Sequence, residues 1–217
     1  LSEEVQKIFE KASGCDVALI GPGLGRSPQT EQLVLALISG LNIPVVLDAD
    51  GINTLSGHID ILDKRSAPTV LTPHEGEFQR LAGAALPIRD RLSAARDFAR
   101  KHRCMLVLKG HGTVTAAPDG RVWINRTGNP GMAKGGSGDV LAGMIAALWG
   151  QTHLKNSDLA ERSAAAVCYH GMAGDRCAER LGEYAMAASD LIETLPEILR
   201  EQEQRNGQAI PSTAQLL

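Results

Sequence analysis

Short apolar runs alternate with stretches of helical spacing over the first 125 residues. Glu3 to Ala12 has the helical pattern, and Asp16 to Gly21 (DVALIG) is an apolar run stopped by glycine. Pro28, suited to a first turn, opens a second predicted helix that runs through Ser39, before Gly40. Val45 to Leu47 ends in the polar cluster Asp48, Asp50 and Asn53, and Thr69 to Thr72 is stopped by Pro73. Arg91 to His102 carries Leu92, Ala95, Phe98 and Ala99 on one stripe, and Met105 to Leu108 follows it. Continuous apolar strands separated by helices predict an α/β fold with a mainly parallel sheet, because such strands must be covered on both faces.

The rhythm changes after Lys109. Thr113 to Ala117 and Val122 to Asn125 flank the turn Pro118-Asp119-Gly120 and predict a β-hairpin. Helices are predicted from Ser137 to Trp149, from Leu159 to about Arg180 and from Ala188 to Gln202. Asp158 and Glu161 have the spacing of a capping box. The alanine-rich stretch Ala164 to Ala173 would pack closely on another subunit or on an internal helix. No internal repeat or linker divides the sequence, so one domain is expected over 1–202, followed by a polar tail over 203–217.

Composition sharpens this picture. Hydrophobic residues make up 43% and charged residues 22%, which excludes disorder over most of the length, and 3% aromatics leave an aliphatic core. A net charge of -3 without a basic stripe argues against nucleic acid as a partner. Cys15, Cys104, Cys168 and Cys177 lack C-x-x-C spacing and read as reduced thiols of a cytoplasmic protein. No apolar run is long enough to span a membrane, and none has the form of a signal peptide. Because the sequence opens on Leu1 rather than Met, it reads as a fragment or a processed product.

Ligands of open α/β sheets bind beyond the carboxyl ends of the strands. Those ends are Gly21-Pro22-Gly23-Leu24-Gly25, Asp48-Ala49-Asp50, Thr72-Pro73-His74-Glu75-Gly76-Glu77 and Lys109-Gly110-His111-Gly112-Thr113. Each also has a purely structural reading, as a glycine turn or a helix cap. A fifth segment, Asn129-Pro130-Gly131-Met132-Ala133-Lys134-Gly135-Gly136-Ser137-Gly138-Asp139, runs straight into an apolar helix. Gly135, Gly136 and Gly138 allow close backbone approach, and the free N–H groups of a helix start attract phosphate. The bland alternative is a glycine-rich cap with Asp139 as a first-turn acid. No P-loop is present, and Arg26 stands where a Rossmann fingerprint needs its third glycine. The nucleophile elbow is missed by one residue, at Asp139, and His74, His111 and His170 lack zinc-hydrolase spacing. His58, His102 and His153 sit in polar surroundings and are expected to be solvated.

These segments, in this order, resemble the ADP-dependent NAD(P)H-hydrate dehydratases. The resemblance runs from about Cys15 to Asp190, and Thr72-Pro73-His74-Glu75-Gly76-Glu77 with Gly135-Gly136-Ser137-Gly138-Asp139 carries its specificity. It implies a three-layer α/β/α ribokinase-like fold. It also implies dehydration of the 6S hydrate of NADH or NADPH, with ADP, or else ATP, as phosphoryl donor and Mg²⁺ as cofactor. On this resemblance Asp139 orients or deprotonates the substrate hydroxyl, and Gly135, Gly136, Ser137 and Gly138 hold the transferring phosphoryl group. Lys109, Gly110, His111, Gly112, Thr113 and Gly138 would contact the nucleotide, and Gly23 and His74 the hydrated dinucleotide. Asp48, Asn53, Glu77 and Asn129 are secondary candidates, with Asp48 and Glu77 as magnesium or water partners.

The resemblance further implies a homo-oligomer, such as a tetramer. The sequence departs from the family in three places. The strand, glycine turn and alanine-rich helix that usually open such domains have no counterpart before Cys15, so the domain reads as N-terminally truncated. Asp50-Gly51 replaces Asp-Ala, and Lys134 stands where a small hydroxyl residue is frequent, adding positive charge near the phosphates. No segment of the given sequence resembles the epimerase domain that many relatives carry fused at the N-terminus. Two other readings share part of the pattern: a small-molecule kinase of the same superfamily, and a nucleotide-binding protein without turnover.

Overall fold

The computed structural model describes residues 3–151, 158–206 and 214–216. Seven strands form one sheet in strictly sequential order: β1 (Ala18–Ile20), β2 (Val45–Leu47), β3 (Thr69–Leu71), β4 (Met105–Leu108), β5 (Val114–Ala116), β6 (Val122–Asn125) and β7 (Ala214–Leu216). The first four are parallel, and β4 to β7 pair antiparallel. The helices are α1 (Glu3–Ala12), α2 (Pro28–Gly40), α3 (Asp50–Thr54), α4 (Glu75–Ala82), α5 (Arg91–Lys101), α6 (Ser137–Trp149), α7 (Leu159–Leu181) and α8 (Ala188–Asn206).

Sequential order decides the layering. Parallel strands joined by right-handed crossovers that all step in one direction place every crossover element on the same face. Val34 and Ile38 of α2, Ile52 of α3, Phe78 of α4 and Phe98 of α5 accordingly share one core with Val45, Leu47, Leu71, Leu106 and Leu108. Alternate strand residues Val46, Val70, Met105 and Val107 point the other way. They are buried by Leu141 and Ile145 of α6 and by Ala164 and Ala166 of α7. The three-layer arrangement and the mainly parallel sheet follow the expectation. The alanine stretch of α7 is used internally, against α6, with Ala164, Ala166 and Ala173 all buried.

Some elements differ from the reading of the sequence. The segments α3, α4 and the 3-10 helix Ile59–Lys64 were not predicted. The stretch read as a polar tail takes part in the fold, since α8 continues through Asn206 and β7 pairs with β6. Asp158 caps α7 by accepting from the Ala160 N–H at 2.7 Å, while the Glu161 carboxylate lies 3.7 Å from Arg121 instead of closing a box. His102 is buried, not solvated: at the end of α5 its ring lies 4.7 Å from that of Phe98. His58 is exposed as expected, and His153 lies outside the described residues. None of the four cysteines is in a disulfide, and all but Cys15 are buried. No helix among the described residues is long and apolar enough to cross a membrane.

Candidate functional site

The carboxyl ends of β1 to β4 are locked together beneath the start of α6. Gly21 is packed so closely that a Cβ would lie 1.7 Å from the Asp48 carbonyl oxygen, and its φ of +139° suits glycine. Ala49, at φ +48°, bends the chain so that Asp48 turns inward and Asp50 turns back toward the β1 loop. Asp48 is 1% exposed. Its Oδ1 accepts from the Thr72 hydroxyl and the Lys109 ammonium, both at 2.7 Å, which ties the ends of β2, β3 and β4 into one unit. A Cβ on Gly138 would stand 3.2 Å from Lys109 Nζ, so the first turn of α6 rests directly on this ion pair.

That first turn is open to a ligand. Gly136 is its N-cap at φ +87°, and no side chain caps the helix; the Ser137 N–H donates to the Lys134 carbonyl at 3.3 Å, which leaves the Gly138 and Asp139 N–H groups and the dipole's positive end for a ligand. Before it lies a cleft of about 820 Å³. Nine predicted residues line the cleft: His74, Lys109, Gly110, His111, Gly112, Thr113, Asn129, Ser137 and Gly138. They come from the loops after β3 and β4, the segment before α6 and the first turn of α6, and the parallel sheet delivers them to one edge.

Each wall is held from behind. Arg91 of α5 donates to the carbonyls of Leu108, Lys109, His111 and Gly112, and its Nε lies 3.1 Å from Glu75. A Cβ on Gly110 would meet the Arg91 guanidinium at 2.8 Å, so the loop lies flat on it. On the opposite wall Asp175 of α7 accepts from the Gly128 N–H at 2.8 Å and from Asn129 at 3.1 Å. Asn129 in turn accepts from the Gly131 N–H. Arg91 and Asp175 escaped the sequence reading because their partners are 17 to 21 and 46 to 47 residues away. A periodic pattern carries no signal for such a pair.

Other predicted residues have different roles. His74 is the N-cap of α4: its Nδ1 accepts from the Gly76 and Glu77 N–H groups, so a neutral ring carries its proton on Nε2. Glu77 closes that capping box by accepting from the His74 N–H at 2.8 Å, and this buried cap explains its carboxylate. Asn53 bridges Asp50 and Arg80. Gly23 and Gly135 are exposed and stand with Gly136 outside the cleft lining. Asp139 is exposed too, roughly 100° round the helix from Gly138. Burial pushes the Asp50 carboxyl up, but hydrogen bonds from Arg26, the Gly25 N–H and Asn53 together bring it below the usual range. This couples the Gly23 turn to α3. No group of three or more His, Cys, Asp or Glu among the described residues would hold a metal ion.

His170 of α7 completes the floor. Its Nε2–H donates to the Ser137 carbonyl at 3.0 Å, beneath the first turn of α6. Burial pushes its pKa down from 6.5 to about 4, the Lys109 charge acts in the same direction, and the bond to Ser137 opposes both. The unfolded chain therefore takes up a proton between pH 6.5 and about 4 that the folded chain refuses. Stability should fall by up to about 1.4 kcal/mol per pH unit as pH drops through that window. His170→Asn keeps an N–H donor but cannot titrate. Unfolding midpoints measured against pH should show the extra acid slope in the wild type only, and equal slopes would refute it.

The chain matches the family described as NAD(P)H-hydrate dehydratase over residues 1–197. It is 46% identical over 204 residues to the bifunctional NAD(P)H-hydrate repair enzyme of Moorella thermoacetica, covering 93% of this chain and 38% of that protein. With the corresponding enzyme of Salinibacter ruber it shares 43% over 199 residues, 89% of this chain and 35% of the other. It thus spans less than two fifths of the length of these curated relatives. Among solved structures it is similar to the ADP/ATP-dependent NAD(P)H-hydrate dehydratase from Bacillus subtilis, co-crystallised with ATP/Mg²⁺. The TM-score is 0.76 at 32% identity, over 89% of this chain and 69% of that one. The hydroxyethylthiazole kinase of Pyrococcus horikoshii, at 16% identity and TM-score 0.72 over 100% and 81% of the two chains, shares the fold alone.

Proposed function

This chain belongs to the NAD(P)H-hydrate dehydratase family with a ribokinase-like fold, and we propose that it dehydrates the 6S hydrate of NADH or NADPH at the expense of ADP. The observation that carries this reading is the single cleft joining the uncapped start of α6 to the Lys109–Thr113 loop and His74. The arrangement suits phosphoryl transfer, whose catalysis rests on positioning and charge stabilisation.

In this reading the nucleotide lies along the loop that Arg91 secures, with its terminal phosphate before the Gly138 and Asp139 N–H groups. Lys109 serves as neighbouring positive charge. Asp139 orients the C6 hydroxyl of the hydrate and accepts its proton as the hydroxyl oxygen attacks phosphorus and the bond to the AMP oxygen breaks. The ring nitrogen's electron pair then expels phosphate from C6, the departing phosphate takes a proton from C5, and the dihydronicotinamide returns. Mg²⁺ carried on the nucleotide phosphates would neutralise part of their charge. The reading supposes a homo-oligomer in the cytoplasm, the latter in keeping with buried cysteines that form no disulfide.

The test is recovery of the near-ultraviolet absorbance of reduced nicotinamide from the 6S hydrate with ADP and magnesium, beside a sample without nucleotide. Nucleotide-dependent recovery is expected. A stable phosphorylated product with no reduced dinucleotide would assign a kinase instead.

A further inference from the structure

Lys134 lies in the glycine loop, two residues before the N-cap of α6, and lines the cleft, while its ammonium is held by another segment. Its ammonium donates to the carbonyls of Glu183 at 3.0 Å, Tyr184 at 2.8 Å and Met186. The three N–H groups of an ammonium are thereby matched by three backbone acceptors. All three carbonyls belong to the loop between α7 and α8. That loop also touches the cleft-forming segment directly: a Cβ on Gly131 would lie 2.7 Å from the Glu183 oxygen and 2.6 Å from Met186 Sδ. A Cβ on Gly136 would lie 3.1 Å from that of Ala188.

Carbonyl oxygens from so short a turn all point their negative ends at one spot, and such a spot requires a positive charge. Rings of backbone carbonyls replace water around potassium in the same way, and ammonium is close to potassium in size. The Lys134 side chain delivers a compact charge there on a flexible stem.

We propose that Lys134 is a tethered monovalent cation, a positioning residue that pins the α7–α8 loop to the wall of the cleft, and that its carbonyl cage becomes a potassium or ammonium site when the side chain is shortened. The proposal goes beyond the catalytic reading and does not depend on it, because folding stability reports it without turnover.

The experiment compares wild type, Lys134→Ala and Lys134→Met by thermal unfolding in potassium, ammonium, sodium and choline chloride at equal ionic strength. Wild type should unfold at the same midpoint in all four. Lys134→Ala should unfold about 4 °C lower in sodium or choline and regain most of the loss in potassium or ammonium. Lys134→Met, whose apolar stem fills the space, should lose stability without responding to any ion. ADP affinity of Lys134→Ala should fall about tenfold in sodium and recover in potassium. If wild type itself binds no ADP, the catalytic reading fails while the unfolding data still test the cage. A Lys134→Ala protein that ignores the ions, responds equally to sodium, or folds in none of the salts overturns the proposal.

Discussion

Asp139→Asn should lower turnover of the hydrate by about 10²- to 10⁴-fold, the usual contribution of a positioned acid or base, while leaving the fold intact. Asp139 is exposed and has no ion pair or side-chain hydrogen bond among the described residues, so nothing structural is lost with its charge. The stabilising interaction of a first-turn acid with the helix dipole is worth about 0.3–1 kcal/mol, a shift of a few degrees at most. The loss should fall on kcat, because the carboxylate acts on the hydroxyl as it becomes a nucleophile and not on nucleotide binding. Initial rates with the hydrate, read beside unfolding midpoints, separate the two effects. A variant that keeps turnover within about threefold of wild type would leave Asp139 as a dipole-complementing residue only.

Lys109→Met should have the largest effect on stability. It retains the stem but strands the Asp48 carboxylate, 1% exposed, with the Thr72 hydroxyl as its remaining side-chain partner. Removing one member of a buried ion pair costs about 3–5 kcal/mol, which for a chain of this size is a midpoint lower by roughly 10 °C. Adding Asp48→Asn to Lys109→Met removes the orphaned charge and should recover much of the loss, giving a large coupling in a double-mutant cycle. Because Gly138 rests on Lys109, the double variant should regain stability without regaining nucleotide affinity. If Lys109→Met costs less than about 1 kcal/mol, the pair does not hold the strand ends.

The sheet and the outer helices were legible because their pattern is local. Val45–Leu47, Met105–Leu108 and Ser137–Trp149 follow from apolar runs and periodicity to the residue. The helix α4 escaped because its cap is His74, where Ser, Thr, Asp or Asn is the usual signal. Nine predicted cleft residues were legible as polar or glycine positions at strand ends. What holds them was not: Arg91, Asp175 and His170 act across the fold on partners that no spacing announces. Lys134 shows the same limit in another form: it lines the cleft where its place in the sequence suggested charge, but its backbone partners in the α7–α8 loop, 49 to 52 residues away, were announced by nothing.

The sequential strand order also has a consequence for synthesis. A chain emerging from its N-terminus can build each parallel pair and cover one face of the sheet as it goes, since strand partners and crossovers arrive in turn. Among the described residues, the partners of the other face, with Val46, Val70, Met105 and Val107, come from α6 and α7, which leave the ribosome last of the elements that cover the parallel strands. At roughly 5–20 residues per second the half-covered sheet persists for seconds, exposing apolar surface of the kind chaperones bind. The glycine loop is made with those last helices, so the cleft comes into being only when the hydrophobic face is sealed, and a nascent chain stalled before α6 would be aggregation-prone and unable to hold nucleotide.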